Sequence, residues 1–425
     1  MAKIKPFKAV TYNPDKFKDL SNLVCPPYDV ISASQQDYYH EVHANNFIHL
    51  LLRRDSNKYQ RAGNLFRSWI TDQILIQDDL PAIYFYVQDY NIKGEKKTRL
   101  GFIALLRLGD KSSPVFAHEN TRREATDDRL KLIREVNANL SPIFVVSRDK
   151  KRVIQRIYDR YIKDTQPLIS VKDNEKTLHK LWKINSPEVL DLLQSSMQNE
   201  DVFIADGHHR YQVSCTYRDE MKQRLGDKFS EDSSFNYTLS YFTNTDNRGL
   251  LILPIHRLLK LEKSIDLNKF LLKLKDYFDV EEVKDKTRFF FLMEKGGRTE
   301  HVLGMYKDKK YWLLRLKNIK ILDKLISDRP KEYRSLDVSI LNYIILKNTL
   351  NLDIEKQDYL KYSPHADEFI QAADDNPLNM VFFLNPVKIE QIIDVALGGN
   401  KMPPKSTYFY PKVLSGLVIN KHEEI

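Results

Sequence analysis

Glycine is scarce in this sequence, and large aromatic rings are abundant. The 425 residues include 13 glycines, against 21 phenylalanines and 23 tyrosines. Glycine frees the backbone for turns and loops, whereas aromatic rings bury large areas in a core. The balance therefore predicts that most of the chain is regular secondary structure around ring-filled cores. At roughly 100–200 residues per domain, the length allows two or three packed units.

The charge balance favours an anionic ligand. The sequence has 67 Lys and Arg against 58 Asp and Glu, a formal net charge of +9. Such a balance is typical of proteins that bind nucleic acid or anionic metabolites. The basic residues do not form one tail, because acidic residues interrupt runs such as Lys307-Asp308-Lys309-Lys310. This interleaving argues against nucleic acid and leaves small anions as the preferred partners.

The sequence predicts a cytoplasmic protein. Two cysteines, Cys25 and Cys215, cannot build a disulfide framework, and the N-terminus lacks an apolar signal core. No segment approaches the roughly 18–20 uninterrupted apolar residues that a membrane helix needs. We therefore expect a reducing compartment and no membrane partner.

Helical and strand patterns alternate along the chain. Residues 82–87 and 100–106 are β-rich, and Asn91-Ile92-Lys93-Gly94 between them predicts an antiparallel hairpin. We predict that residues 150–197 are mostly helical. The pattern predicts an α/β (α+β) fold with mixed sheets and large helical insertions.

A polar turn at residues 246–249 is a candidate domain boundary. It divides the chain into an N-terminal portion, 1–246, and a C-terminal α+β portion, 247–425. We expect the phosphate-binding core in the first portion and the tail of the second to return to that site.

The strongest local motif is Asp206-Gly207-His208-His209-Arg210, directly after the apolar run 202–205. Glycine lets the backbone approach a ligand, and the first amides of the following helix favour an anion. Two imidazoles and a guanidinium add donors suited to phosphate oxygens. The alternative is an Asp helix cap beside two solvated histidines. We favour a phosphate site.

A second motif is His118-Glu119-Asn120-Thr121. A glutamate beside a histidine and a threonine can orient a hydroxyl group or accept its proton. A capping box or a surface loop explains the same residues equally well.

The C-terminal segment contributes a third candidate. Lys405, Ser406, Thr407 and Lys412 lie on a stretch that is rich in proline and aromatic residues. These cations and hydroxyls could close over phosphates, or they could border a buried aromatic cluster. We favour the phosphate interpretation.

Several common site types are absent from the sequence. There is no Walker A loop, no dinucleotide glycine fingerprint and no protein-kinase His-Arg-Asp set. Adjacent histidines at a helix start point in different directions, so His208 and His209 argue against a tight zinc site. We expect no protein-bound metal.

Ordered motifs extend over nearly the whole chain. They are Cys-Pro-Pro-Tyr-Asp-Val at 25–30, His-Glu-Asn-Thr at 118–121, Asp-Arg-Leu at 128–130, Asn-Leu-Ser-Pro-Ile at 139–143, Asp-Gly-His-His-Arg-Tyr at 206–211, Pro-Ile-His-Arg at 254–257, and the segment 405–416. Together they resemble the bacterial and archaeal domain-of-unknown-function family 1015 (DUF1015). The family name by itself implies little about function.

The order of the central motifs also resembles the ParB/sulfiredoxin superfamily and, within it, the free-serine kinases. This resemblance implies that Glu119 serves the substrate hydroxyl as a base and that His209 assists in catalysis. It implies a phosphate cradle of Gly207, His208 and Arg210, with Asp206 as a metal or proton partner. His118 and Thr121 are the expected substrate-binding residues.

Two departures narrow the resemblance. Sulfiredoxin needs a cysteine where this chain has His208, which argues against sulfinic-acid repair. The DNA-partitioning proteins have Glu-Arg where this chain has His208-His209, which argues against DNA binding.

Three functions stay in play. The leading hypothesis is a kinase that uses ATP or ADP with Mg²⁺ to phosphorylate free serine or a similar hydroxyl metabolite. The second is a nucleotide-gated switch without catalysis, and the third is a phosphate-ester or metal-dependent hydrolase. The sequence leaves a homo-oligomer open.

Overall fold

The computed structural model describes residues 2–109, 114–356 and 358–423. It is a mixed α/β protein, which confirms the predicted fold class. The chain forms two compact units. The first comprises Met1–Ala117, Thr121–Leu251 and Pro411–Ile425, and the second comprises His118–Asn120 and Ile252–Tyr410.

The first part of the chain contains helices and strands, and most of its strands belong to one large sheet. In order, the elements are β1 (Ile4–Lys5), β2 (Val10–Tyr12), α1 (Ala33–Val42), α2 (Ile48–Leu51), α3 (Lys58–Thr71), β3 (Leu75–Gln77), β4 (Ile83–Ile92), β5 (Glu95–Arg107), β6 (Val115–Phe116), α4 (Arg123–Val136), β7 (Ala138–Asn139), β8 (Ile143–Ser147), α5 (Val153–Ile157), β9 (Ile169–Lys172), β10 (Leu178–Ile184), α6 (Pro187–Met197), β11 (Val202–Asp206), α7 (His208–Leu225) and β12 (Tyr237–Asn244).

The second part has its own sheet and helices, and the chain then ends on a short strand. In order, the elements are β13 (Leu251–Leu253), β14 (His256–Lys260), α8 (Leu267–Leu274), β15 (Phe278–Val283), α9 (Lys286–Gly296), β16 (Val302–Lys307), β17 (Lys310–Leu316), α10 (Ile321–Leu325), α11 (Lys331–Arg334), α12 (Asp337–Ile340), β18 (Leu360–Ser363), α13 (Ala366–Asp375), β19 (Asn379–Phe383), α14 (Ile389–Leu397), β20 (Tyr408–Tyr410) and β21 (Asn420–Lys421).

The sheet of the first unit is mixed. Its strand order is β6-β11-β8-β12-β5-β4-β10-β9, with β1 also paired to β5. The pairs β11–β6 and β12–β8 are parallel, and β11–β8 is antiparallel. Both faces are covered, because Ile83 and Phe85 pack in the cluster that includes α5 and α6, while Tyr84 between them is also fully buried.

The second unit is built on an antiparallel sheet with the order β15-β17-β16-β19-β14-β18. Its core is aromatic, as the composition predicts. Phe289 of α9 and Phe369 of α13 pack in one cluster with Phe383 of β19. Within the described residues, no helix combines the length and the apolar character needed to cross a membrane.

The predicted hairpin is confirmed. Strands β4 and β5 pair antiparallel, with Ile92 opposite Glu95. The two turn residues, Lys93 and Gly94, have φ of 49° and 82°. Positive φ at both positions is the geometry of a tight turn that matches the strand twist.

The prediction that residues 150–197 are mostly helical is wrong in its middle. Helices α5 and α6 occupy its ends, but β9 and β10 lie between them and pair antiparallel. Strand β10 also pairs with β4 along its whole length. Its buried and partly exposed side chains nearly alternate, the period of a strand. Lysines on the less buried face obscured that period in the sequence.

We expect acid to destabilise the protein through His422. This residue of the first unit is 3% exposed and stacks on Phe235. Burial lowers the pKa of His422 to about 4, whereas an unfolded histidine titrates near 6.5. Its stabilisation is therefore complete above about pH 6.5 and is lost as the pH falls toward 4. The loss amounts to about 3 kcal/mol, at roughly 1.4 kcal/mol per pKa unit.

Urea unfolding between pH 7.5 and 4.5 measures this effect. His422→Phe should reduce the fall in unfolding free energy relative to the parent protein. His43→Gln, a change at a half-buried histidine, controls for loss of a histidine elsewhere. A pH dependence identical in the parent and in His422→Phe contradicts the assignment.

Candidate functional site

The turn between β11 and α7 places its polar residues by backbone geometry. The register of β11 against β8 shifts between Ile204 and Asp206, a bulge that re-aims the end of the strand. Gly207 follows with φ of 91°. A Cβ on Gly207 would lie 2.9 Å from Cζ of Arg210. The backbone angle favours glycine, and a Cβ at this position would also displace the Arg210 guanidinium that folds over it.

Asp206 lies between two cations. Its Oδ2 accepts a hydrogen bond from Nη2 of Arg210 at 2.7 Å, and its Oδ1 accepts one from Nζ of Lys412 at 2.6 Å. The three side chains are only 11–17% exposed. Burial opposes ionisation of Asp206, but Lys412 and Arg210 outweigh it and hold the pKa of the carboxyl well below its usual range. Two cations and one anion leave the cluster with a net positive charge.

Arg210 also ties the turn to the neighbouring strand. Its Nη1 donates to the carbonyl oxygen of Pro142, at the start of β8. Its buried Nε has no hydrogen-bond partner among the described residues. This guanidinium therefore has one N–H donor, at Nε, that could still bind an acceptor.

A small cavity of about 60 Å³ adjoins Arg210 within the first unit. Tyr28, Ser141, Ser214 and Thr238 also line it. The hydroxyl of Tyr28 is buried and, among the described residues, has no hydrogen-bond partner. Burial raises the pKa of Tyr28 to about 12, so the hydroxyl keeps its proton and can donate it. Most of the lining is apolar, but two of the lining residues, Arg210 and Tyr28, each have a buried donor without a partner among the described residues. A water or a small anion beside these donors would satisfy them.

The histidines of the motif have different surroundings. His208 is 5% exposed, and its effect on the pKa of Asp206 is smaller than that of Lys412 or Arg210. His209 is partly exposed, and its Nε2 accepts the backbone N–H of Arg122 at 2.9 Å. A neutral His209 therefore carries its proton on Nδ1. Thr121, the expected substrate residue, is exposed.

A buried network positions the backbone of Lys412. Nη2 of Arg99 donates to the carbonyl oxygen of Pro411 at 2.6 Å, and Nε2 of Gln88 donates to that of Lys412 at 2.8 Å. Arg99 and Gln88 are fully buried and also bond to each other. These two residues could not be identified from the sequence, because nothing local in strands β4 and β5 indicates a partner more than 300 positions away.

The network continues through His179. Its Nε2 lies 3.0 Å from a carboxylate oxygen of Asp173, and its Nδ1 lies 2.6 Å from the hydroxyl of Tyr86. Because the carboxylate accepts, Nε2 carries the proton, and Nδ1 accepts from Tyr86. Burial lowers the pKa of His179, which is consistent with a neutral ring.

The remaining candidate residues belong to the second unit. Nε2 of His118 lies 3.2 Å from Oγ1 of Thr407, and a carboxylate oxygen of Glu119 accepts the backbone N–H of Lys405 at 3.1 Å. Ser406 is 5% exposed and donates its hydroxyl to the carbonyl oxygen of Pro403 at 2.6 Å. The structure thus brings the His118-Glu119 motif and residues 405–407 together within the second unit.

Arg257 of the Pro-Ile-His-Arg motif contacts the backbone of the loop at residues 405–407. It is 1% exposed and donates to the carbonyl oxygen of Lys405 at 2.8 Å. Burial lowers the pKa of Arg257 to about 10. Lys405 itself has φ of 58°, an angle that few residues other than glycine adopt. The loop is held in one conformation by its backbone contacts.

Among the described residues, no group of three or more His, Cys, Asp or Glu side chains is arranged to hold a metal ion. Asp206 is already engaged by two cations. A magnesium ion at this site would therefore be held by the phosphates of a nucleotide more than by the protein, as Mg²⁺ often is.

Comparison with solved structures gives several distant likenesses. A free serine kinase mutant in complex with ADP is 11% identical, with 72% of this chain and 88% of that chain covered and a TM-score of 0.35. A free serine kinase in complex with AMP is 13% identical over the same shares, with a TM-score of 0.34. SbnI with a C-terminal truncation, from Staphylococcus aureus, is 10% identical, with shares of 74% and 85% and a TM-score of 0.35.

None of the curated proteins matches the chain. A family model does. The model described as protein of unknown function (DUF1015) matches residues 4–339, and this segment contains every motif of the expected site except the C-terminal lysine segment. The chain belongs to the DUF1015 family.

Proposed function

We propose that this protein transfers a phosphoryl group from a nucleotide to the hydroxyl of free serine or a similar small metabolite. The observation that carries the proposal is the turn at Gly207, where Arg210 and Lys412 meet at the N-terminus of α7. Backbone amides, a guanidinium and an ammonium at one point form an anion site. Phosphoryl transfer depends mainly on such positioning and charge neutralisation.

The unsatisfied donors beside this cluster support a bound phosphate. Nε of Arg210 and the hydroxyl of Tyr28 are buried, and both residues line the same cavity. A buried donor without a partner costs about 1–3 kcal/mol. A phosphate oxygen would satisfy such a donor and recover that free energy on binding.

Glu119 is the proposed base for the acceptor hydroxyl. The motif order of the serine kinases assigns it this role, and its carboxylate is partly exposed. His118, Lys405 and Thr407 lie around it in the second unit. Charged and hydroxyl-bearing side chains are therefore available here to bind a small polar substrate.

One observation favours a second function, a nucleotide-gated switch without turnover. Asp206 is held by both Arg210 and Lys412. A carboxylate in this state is poorly suited to accept a proton or a metal ion. The cluster then serves to bind phosphate, and the protein signals its nucleotide state instead of catalysing transfer.

A thermal-shift screen of nucleotides crossed with amino acids tests the proposal. A ligand that binds the native state raises its apparent stability. A kinase should respond to ATP or ADP and respond further to serine, and it should then produce phosphoserine. A switch responds to nucleotide alone, and a hydrolase consumes nucleotide without an acceptor. Either of these outcomes excludes the kinase.

We expect Arg210→Ala to weaken nucleotide binding by about 1.5–3 kcal/mol, the usual loss for a charge-assisted contact. Arg210→Lys keeps a charge but loses the planar donors, so it should recover only part of the affinity. Calorimetry on the folded variants measures both.

The matched control is Arg134→Ala. Arg134 is also paired with a carboxylate, that of Glu220, but is 48% exposed on the surface of the same unit. Its removal should leave nucleotide affinity unchanged. Equal affinity in the parent protein and in folded Arg210→Ala contradicts the phosphate cradle.

A further inference from the structure

Two histidines face each other away from the turn at Gly207. His40 of α1 and His49 of α2 both lie in the first unit and are partly buried. Their Nδ1 atoms are 3.2 Å apart, and the rings meet edge to face with an interplanar angle of 81°. Nothing in the proposed phosphoryl transfer uses this pair.

The outer nitrogens determine the protonation of both rings. Nε2 of His40 lies 2.8 Å from the carbonyl oxygen of Leu52, and Nε2 of His49 lies 3.3 Å from that of His43. A carbonyl oxygen only accepts hydrogen bonds, so each Nε2 carries a proton. In the neutral rings both Nδ1 atoms are therefore bare. Two lone pairs directed at each other across 3.2 Å repel unless a cation lies between them.

We propose that His40 and His49 bind one transition-metal ion of the Zn²⁺ or Cu²⁺ class through their Nδ1 atoms. Two nitrogens at about 2.0–2.1 Å from a tetrahedral zinc ion stand roughly 3.3 Å apart, close to the observed 3.2 Å. Imidazole is a ligand that these metals prefer. A backbone carbonyl on the second ring nitrogen is the usual outer partner of a metal-bound histidine, and both rings have one.

The surroundings leave the remaining coordination to water. Nδ1 of His43 is occupied by the backbone N–H of Asn45 at 2.9 Å. The described residues offer no third His, Cys, Asp or Glu in the arrangement of a closed site. Arg53, the nearby cation, is held by both carboxylate oxygens of Asp55.

Calorimetric titration with Zn²⁺ tests the proposal on the full-length protein after treatment with a chelator. We expect one equivalent to be lost in His40→Gln and in His49→Gln, with the folded state confirmed by circular dichroism. His43→Gln is the matched control and should keep that equivalent, because its carbonyl still accepts from His49. Binding should weaken as the pH falls below about 6.5, since protons compete for the imidazoles.

Direct ligation is read in the parent protein, so the test does not depend on the variants. Zn²⁺ should shift the ¹⁵N resonances of the Nδ1 atoms of His40 and His49. The same stoichiometry in all four proteins, or unshifted resonances, overturns the proposal. A single proton shared between the rings is one such outcome. Nucleotide binding should be unchanged in the His40 and His49 variants, so the metal site and the kinase stand or fall separately.

Discussion

Glu119→Gln should lower the rate of serine phosphorylation by roughly 10²–10⁴-fold, the usual contribution of a general base. A serine hydroxyl is a poor nucleophile, and a carboxylate orients it in line and accepts its proton as the new bond forms. Glutamine keeps the shape of the side chain and loses the charge. Nucleotide affinity should stay nearly the same.

The structure makes this substitution a clean one. Glu119 accepts the backbone N–H of Lys405 through a carboxylate oxygen. The side-chain oxygen of glutamine can accept the same hydrogen bond, so the loop should keep its conformation. If Glu119 served only as a structural acceptor or a helix cap, the change would cost at most about 1 kcal/mol of stability and leave turnover alone.

Phosphoserine production, measured beside calorimetric nucleotide affinity, separates the two roles. Glu390→Gln, at an exposed position in the same unit, controls for loss of a negative charge. Full activity in Glu119→Gln defeats the assignment of the base. No serine-dependent activity in the parent protein defeats the assignment of serine as the acceptor.

Local features of this chain could be predicted from its sequence because their causes are local. The Lys93-Gly94 turn and the strand-glycine-helix junction at Gly207 both depend on backbone angles that few residues accept. The hairpin follows from the first. The junction at Gly207 is the basis for the proposed anion site at the N-terminus of α7.

Strands β9 and β10 could not be predicted in the same way. Strand β10 presents His179 and Leu181 to the interior and leaves Lys180 and Lys183 partly exposed. A short helix can have the same residue composition as β10. This segment is a strand because it pairs with β4. Tertiary pairing therefore overrode the local signal.

Individual residues of the proposed site could be predicted from the sequence, but the contacts between them could not. The sequence indicates Lys412 as a candidate phosphate ligand, but its contact with Asp206 spans 206 positions. The hydrogen bond from Gln88 to the backbone of Lys412 spans 324 positions. Contacts of this range leave no periodicity or spacing in a single sequence, so Arg99 and Gln88 come from the structure alone.

Asp206→Asn should lower the free energy of unfolding by about 3–5 kcal/mol, the typical cost of breaking a buried ion pair from one side. Asparagine removes the counter-charge that Asp206 supplies to the buried Arg210 and Lys412. Urea unfolding at pH 7 measures the loss. The double variant Asp206→Asn with Lys412→Met removes one of the stranded cations and should be less destabilised than the sum of its single changes.

Glu220→Gln provides the comparison. This change also breaks an ion pair with an arginine in the first unit, but the partners are 48% and 34% exposed. Its cost should lie within about 1 kcal/mol. Equal losses in Asp206→Asn and Glu220→Gln show that burial of the Asp206 cluster contributes nothing to stability.

Asp206→Asn should also bind anions more tightly than the parent protein does. In the parent protein the Asp206 carboxylate occupies Arg210 and Lys412, the two side-chain cations that a phosphate would use, and its negative charge repels that phosphate. Asparagine removes the repulsion and frees donors, so inorganic phosphate should bind folded Asp206→Asn with higher affinity and recover part of its lost stability. If Asp206 instead holds the nucleotide's Mg²⁺, affinity for MgATP falls in the variant while affinity for inorganic phosphate does not. Titration with inorganic phosphate and with MgATP therefore distinguishes two roles of Asp206. It is either a counter-charge that phosphate displaces from Arg210 and Lys412, or a ligand of the Mg²⁺ that the nucleotide brings.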